Sequence, residues 1–104
     1  MSGALLVVSA VVIPGKETEF NKWYEEHHIP LFSGRMPLLK SVKRFYSKKA
    51  NPQFLAVYEY DSPDDMKRSL SSEESRLARE DADKVKGVLV ESFVFNTYTQ
   101  IYSK

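Results

Sequence analysis

Both histidines of this chain stand side by side in the segment Phe20-Asn21-Lys22-Trp23-Tyr24-Glu25-Glu26-His27-His28-Ile29-Pro30, at the end of an aromatic stretch. Imidazole has an ordinary pKa of about 6.5 and exchanges a proton near neutrality, so the pair suits acid/base work at an enol, phenol or ketone. Metal binding is the other use of two imidazoles, and here it fits poorly. Adjacent residues on a helix diverge by about 100°, and Glu25-x-x-His28 is one copy of a motif that di-iron bundles use twice, with two further glutamates. No metal is expected.

The spacing Phe20, Trp23, Tyr24, His27 follows i, i+3, i+4, i+7 and predicts an amphipathic helix from about Lys16 to His28, closed by Pro30 because the residue before a proline avoids helical backbone. In that phase His27 lies within the apolar stripe and His28 at its edge. Either imidazole could face inward. Trp23, Tyr24 and Phe20 are candidates for the wall of a substrate pocket, although a stripe of this kind also makes an ordinary helix core. Tyr46 and Tyr58 lie on neighbouring predicted strands and could aim hydroxyls into the same space. Arg44 could hold a carboxylate or enolate oxygen; an interface or solvated arginine is the plainer reading. His28 itself could be no more than a cation at a helix C-terminus, favoured by the dipole.

These residues need a scaffold, and the chain predicts one. Leu5 to Ile13 is apolar on both alternating faces, interrupted only by Ser9, and reads as a strand covered on both sides. It is about half as long as the ~20 residues of a transmembrane helix. Ser41 to Ser47 and Phe54 to Tyr60 alternate as the two strands of a hairpin, joined across turn chemistry at Asn51-Pro52. Leu31 to Leu38, with Gly34 and Pro37, reads as loop. Ser62-Pro63-Asp64-Asp65 and Ser71-Ser72-Glu73-Glu74 are helix starts, giving a short helix from about Pro63 to Leu70 and a longer one from about Ser72 to Lys86 that buries chiefly Leu77, Ala78, Ala82 and Val85. Val88 to Tyr102 alternates for longer than a usual strand, so it bends, bulges or continues into a second strand.

The order β-α-β-β-α-β predicts an α+β, ferredoxin-like fold: an antiparallel sheet with helices on one face. At 104 residues this is one domain, residues 1–104. The helices cover one face, yet the first strand is apolar on both, so a second copy of the sheet is the economical cover. A homodimer is expected.

Bulk properties remove several function classes. The net charge is +1, which disfavours a dedicated nucleic-acid binder, and the absence of cysteine excludes disulfides, thiolate catalysis and sulfur-ligated metal. No signal-peptide pattern surrounds the first apolar run, so a cytoplasmic protein with no membrane partner is expected. No glycine-rich phosphate loop, nucleophile elbow or dinucleotide fingerprint occurs, and no cofactor is expected. Arg35, Lys40, Lys43, Arg44, Lys48 and Lys49 fall in an interval free of acids, which could attract an anionic ligand, match a patch across a dimer, or form a solvated strand face.

The string Glu19-Phe20-Asn21-Lys22-Trp23-Tyr24, followed by His28-Ile29-Pro30, Pro37 and Arg44-Phe45, resembles the EthD-like family of the dimeric α+β barrel superfamily. Its members read Phe-Asn-x-Trp-Tyr, then Glu-His, an aliphatic residue and Pro, and later Pro-Gly and an Arg-aromatic strand. The likeness in element order runs over roughly residues 4 to 102; its specific part is Glu19 to Pro30. It implies a homodimer with an apolar pocket for a small hydrophobic organic ligand, and His28 rather than His27 as the site histidine. Its relatives act on small organic molecules, and the superfamily includes cofactor-free monooxygenases, cyclases, isomerases and haem-handling enzymes. Two departures stand out: His27 replaces a glutamate, and Leu38 replaces the glycine of Pro-Gly.

The expectation is therefore a small-molecule-modifying enzyme with oxidoreductase (monooxygenase) or cyclase/isomerase chemistry. His28 is the proton carrier, Tyr24 its catalytic partner, and Phe20, Trp23, His27, Arg44, Tyr46 and Tyr58 contact substrate. The alternative is a non-catalytic small-molecule-binding or accessory protein of a degradation pathway.

Overall fold

The computed structural model describes residues 3–104. Strands β1 (Ala4–Val12), β2 (Ser41–Tyr46), β3 (Phe54–Tyr60) and β4 (Val90–Thr99) form one antiparallel sheet in the order β2-β3-β1-β4. Helix α1 (Glu17–Trp23) follows β1, while α2 (Pro63–Leu70) and α3 (Glu73–Asp83) lie between β3 and β4. This is the ferredoxin-like topology expected from the element order.

Alternation decides what each strand buries. Ala4, Leu6, Val8 and Ala10 of β1 and Phe54, Ala56, Tyr58 and Tyr60 of β3 point at the helices and are buried. Phe20 of α1, 1% exposed, packs edge-on against Phe54 at 5.4 Å and near Phe93 at 6.4 Å, seating the helix on the sheet. The opposite face of β1 and β3, with Leu5, Val7, Leu55 and Val57, is only half-buried. Among the described residues of one chain nothing covers it, so the expected two-sided burial of β1 is not met by this chain's own helices.

Capping explains the later helices. Ser62 and Ser72 accept hydrogen bonds from the backbone N–H groups of Asp65 and Ser75, satisfying donors that the first turn leaves unpaired. The longer helix ends at Asp83, short of Lys86. Its buried side differs from the expected one: Ser75, Ala78, Asp81 and Ala82 face inward, and Leu77 is exposed. The last strand stops at Thr99 as a single strand, with a register shift opposite Val11/Val12.

The first helix departs most from expectation. It does not end at His28. A π-helical turn spans Tyr24–His28, Ile29 donates its N–H to the Tyr24 carbonyl five residues back, and a last helical turn, Ile29–Leu31, contains Pro30. The wide turn opens the backbone where the proline ring would otherwise meet a carbonyl, so Ile29 keeps helical angles (φ −63°, ψ −52°) in front of a proline. A 3₁₀ turn, Ser33–Arg35, then leads into the loop before β2.

Candidate active site

The π turn sets the direction of both imidazoles. Four steps of an α-helix would carry His28 about 40° past Tyr24. A turn whose hydrogen bonds close over five residues rotates less per step, so His28 comes to lie nearly over Tyr24 and Phe20. It is 4% exposed, whereas the His27 side chain is 44% exposed. Regular helical phase pointed to the wrong neighbour because the helix is not regular here.

Asp81 on α3 joins the two. Its Oδ2 accepts from His28 Nδ1 at 2.8 Å and its Oδ1 accepts from His27 Nε2 at 3.0 Å. The carboxylate is itself buried, so both imidazoles serve as its donors. With Nδ1–H directed at Asp81, His28 keeps its Nε2 lone pair for whatever enters beside it. Burial holds the His28 pKa below the ordinary value; the hydrogen bond and charge of Asp81 oppose that shift, and the neighbouring His27 adds to it. The ring is a neutral base at pH 7. Trp23 stacks on it with centroids 4.6 Å apart, fixing its plane.

His28 lines a pocket of about 400 Å³ between the helices and the β1/β4 half of the sheet. Leu6, Val8, Met36, Phe93 and Ala82 supply apolar walls. Polar groups converge at one side: the Tyr24 and Tyr58 hydroxyls lie 2.7 Å apart, and Tyr58 donates to Ser33 Oγ at 3.2 Å. In that direction Tyr24 donates to Tyr58, and the Ser33 hydroxyl proton at the end of the chain remains for a ligand. Burial, the largest influence on both tyrosines, pushes their pKa values up, so both stay neutral phenols.

Tyr24, His28 and Tyr58 are thus brought to one pocket. Five other candidates do not line it. Phe20 is buried behind Tyr24 in the core, and Trp23 supports His28 from behind. His27 sits on the outer side of Asp81. Arg44 stacks over the Tyr24 and Phe20 rings, 4.6 and 5.3 Å from their centroids, and pairs with Glu25 at 2.8 Å, outside the pocket. Tyr46 pairs with Phe54 while Val42 pairs with Tyr58. Four residues of strand, about 13 Å, therefore separate Tyr46 from Tyr58 along the sheet, and Tyr46 is exposed.

Sequence reasoning missed Ser33, Asp81 and Arg79. Asp81 left a trace: it falls three residues after Ala78 and four before Val85, an acid on an apolar stripe. Among the described residues no three His, Asp or Glu side chains converge to hold a metal ion. No helix among them is long and apolar enough to cross a membrane.

No protein-family model and no curated protein matches the sequence. Solved structures do resemble the fold. An EthD family protein from Bacillus halodurans aligns over 92% of this chain and 97% of its own at 20% identity, TM-score 0.69. An antibiotic biosynthesis monooxygenase-like protein from Bordetella bronchiseptica covers 98% of this chain and 100% of its own at 18% identity, TM-score 0.70. A DABB family protein from Mesorhizobium loti covers 98% and 100% at 12% identity, TM-score 0.66. At these identities the likeness concerns fold, and the site has to be argued from its own geometry.

Proposed function

We propose that this chain is a small-molecule-modifying enzyme that removes a proton from a hydrophobic, oxygenated substrate at His28. The observation that carries the reading is a neutral, buried imidazole opening on an apolar pocket, with its Nδ1–H held by a buried carboxylate. The substrate's C–H or O–H proton moves to His28 Nε2, and the electron pair stays on the substrate as an enolate or phenolate. Ser33, polarised by the Tyr58 and Tyr24 hydroxyls behind it, donates a hydrogen bond to that oxygen. Asp81 stabilises the imidazolium and fixes its tautomer.

The resulting carbanion has two onward routes. It can add dioxygen at a carbon that still bears a second hydrogen, forming a peroxide whose O–O bond breaks as that C–H is lost, so that one oxygen atom stays as C=O and the other leaves as water with the two protons; or it can attack a carbonyl of the same molecule and cyclise. The names of the structural neighbours, EthD and antibiotic biosynthesis monooxygenase-like, support oxygen chemistry as the first to test. Neither route calls for a resident organic cofactor. The working unit of this proposal is a homodimer in which the half-buried face bearing Leu5, Val7, Leu55 and Val57, with exposed Phe45, Val94 and Tyr98, packs against its copy.

The probe is 2-tetralone, whose benzylic protons next to the carbonyl are acidic enough to follow by deuterium exchange in D₂O. The wild-type chain is expected to accelerate exchange above buffer, and His28→Ala to lose at least tenfold of that acceleration. An acceleration unchanged by His28→Ala would refute the assignment.

A further inference from the structure

Four residues of α3 line the pocket, Ser75, Ala78, Arg79 and Ala82, at i, i+3, i+4 and i+7, so one helical face forms one wall. Three of them are small. The fourth brings a guanidinium to the pocket edge, and among the described residues no carboxylate lies within ion-pair distance of it. The residue is exposed, and its guanidinium is hydrogen-bonded on one side. Arg79 Nη1 donates to Ser75 Oγ at 2.8 Å and to the Leu70 carbonyl at 3.2 Å.

That anchoring uses the two N–H bonds of one nitrogen. The Nε–H and the two Nη2–H bonds remain, and the edge they form is the planar fork that matches the two oxygens of a carboxylate. Elsewhere the polar lining is uncharged: His28 is neutral, Tyr24 and Tyr58 are phenols, and Ser33 and Thr97 are hydroxyls. Asp81 carries the nearby negative charge, but it is held by both imidazoles behind His28 and does not line the pocket. Arg44, the sequence's candidate for this task, is occupied by Glu25 outside it.

We infer that Arg79 binds the anionic end of the ligand, and that the pocket takes a small aromatic acid whose carboxylate, or an ionised enol oxygen in its place, sits on the Nε–Nη2 edge while its apolar body lies toward Phe93 and Leu6. This rests on the pocket being the ligand site proposed above, and it adds the ligand's charge and the residue that selects it.

The test uses the full chain and two probes of equal shape, 2-naphthoate and 2-naphthamide, titrated at low salt and followed by calorimetry and by the imidazole NMR signals of His28. Naphthoate is expected to bind at least tenfold more tightly than the amide, with that advantage shrinking as salt is raised. Arg79→Met is expected to remove at least tenfold of naphthoate affinity and to leave the amide within twofold, the amide serving as the check that the pocket remains folded. Arg79→Lys, which keeps charge without the fork, should retain part of the preference. Equal binding of both probes with His28 perturbed would overturn the anion assignment and leave the pocket standing; so would a preference that survives Arg79→Met. Failure of either probe to disturb His28 at millimolar concentration would overturn both readings.

Discussion

Replacing Asp81 by asparagine keeps the shape of the side chain and removes the feature on which the histidine pair depends. The carboxylate accepts from two imidazoles, at 2.8 Å and 3.0 Å. An amide has one acceptor oxygen and one NH₂ group, so it can satisfy only one imidazole donor. The buried bond to His28 involves a charged acceptor and is worth about 1.5–3 kcal/mol. The bond to His27, whose side chain is 44% exposed, is worth about 0.5 kcal/mol. Asparagine returns one neutral bond of about 1 kcal/mol. The net loss is about 1–2.5 kcal/mol, drawn toward the lower end because a neutral amide is cheaper to bury than a carboxylate. For a chain of this size that lowers the thermal midpoint by roughly 5–15 °C. The chemical effect is larger than the structural one. Without the carboxylate the His28 pKa falls further, and where the amide NH₂ turns toward the ring, Nδ1 becomes the acceptor and Nε2 carries the proton. Both weaken the base, so exchange of 2-tetralone should fall at least tenfold. Nitrogen NMR of the imidazoles reads the tautomer directly. A variant with the wild-type tautomer and exchange within twofold would refute the claim that Asp81 positions His28.

Stability should also respond to pH through His28. Its folded pKa lies below that of the unfolded chain, so between the two values the unfolded state binds more protons. This contribution is complete above about pH 6.5, declines as pH falls toward the folded value, and should be absent from the wild-type minus His28→Gln difference if the reasoning fails. Leu38 holds φ +65° where the resembling family carries glycine, a conformation that costs an L-residue about 1–2 kcal/mol. Leu38→Gly should therefore stabilise the chain by about 0.5 kcal/mol or more after the entropy of glycine is counted, read by urea denaturation; a loss of stability would show that Leu38 packs more than its exposure suggests. Gly34 faces the opposite constraint, since a Cβ there would come 2.8 Å from the Ile29 carbonyl oxygen. Gly34→Ala should destabilise by at least about 1 kcal/mol and disturb the Ser33 end of the hydroxyl chain. Val57→Glu, on the half-buried sheet face, should convert a dimer to a monomer by light scattering, and a wild-type chain that is already monomeric at micromolar concentration would end the dimer proposal.

Much of the scaffold was legible because it is written in local alternation and caps. The third strand, Phe54–Tyr60, matches its predicted span, and Ser62 and Ser72 cap the two helices whose starts they mark. Where expectation failed, a non-local or irregular feature prevailed. Pro30 reads as a stop, but the five-residue π turn Tyr24–His28 absorbs it and the helix runs on to Leu31. Leu77 reads as core, but α3 presents Asp81 inward instead, where the two imidazoles of the π turn Tyr24–His28 hydrogen-bond it. Leu38 takes a positive φ of +65°, the left-handed conformation that a glycine adopts without strain, and nothing in the side chain's own type signals it.

The sequence by itself determined the order of strands and helices, the alternation of the strand Phe54–Tyr60, and the presence of a histidine pair at the end of an aromatic helix. Those are consequences of periodicity and capping, which act over a few residues. Only the tertiary structure decided which imidazole lines the pocket, that a carboxylate 53 residues away hydrogen-bonds it, and that Arg79 lines the pocket while Arg44 pairs with Glu25 outside it. Side-chain direction at a π turn and charge pairing across helices depend on how whole elements pack, and no local pattern encodes that.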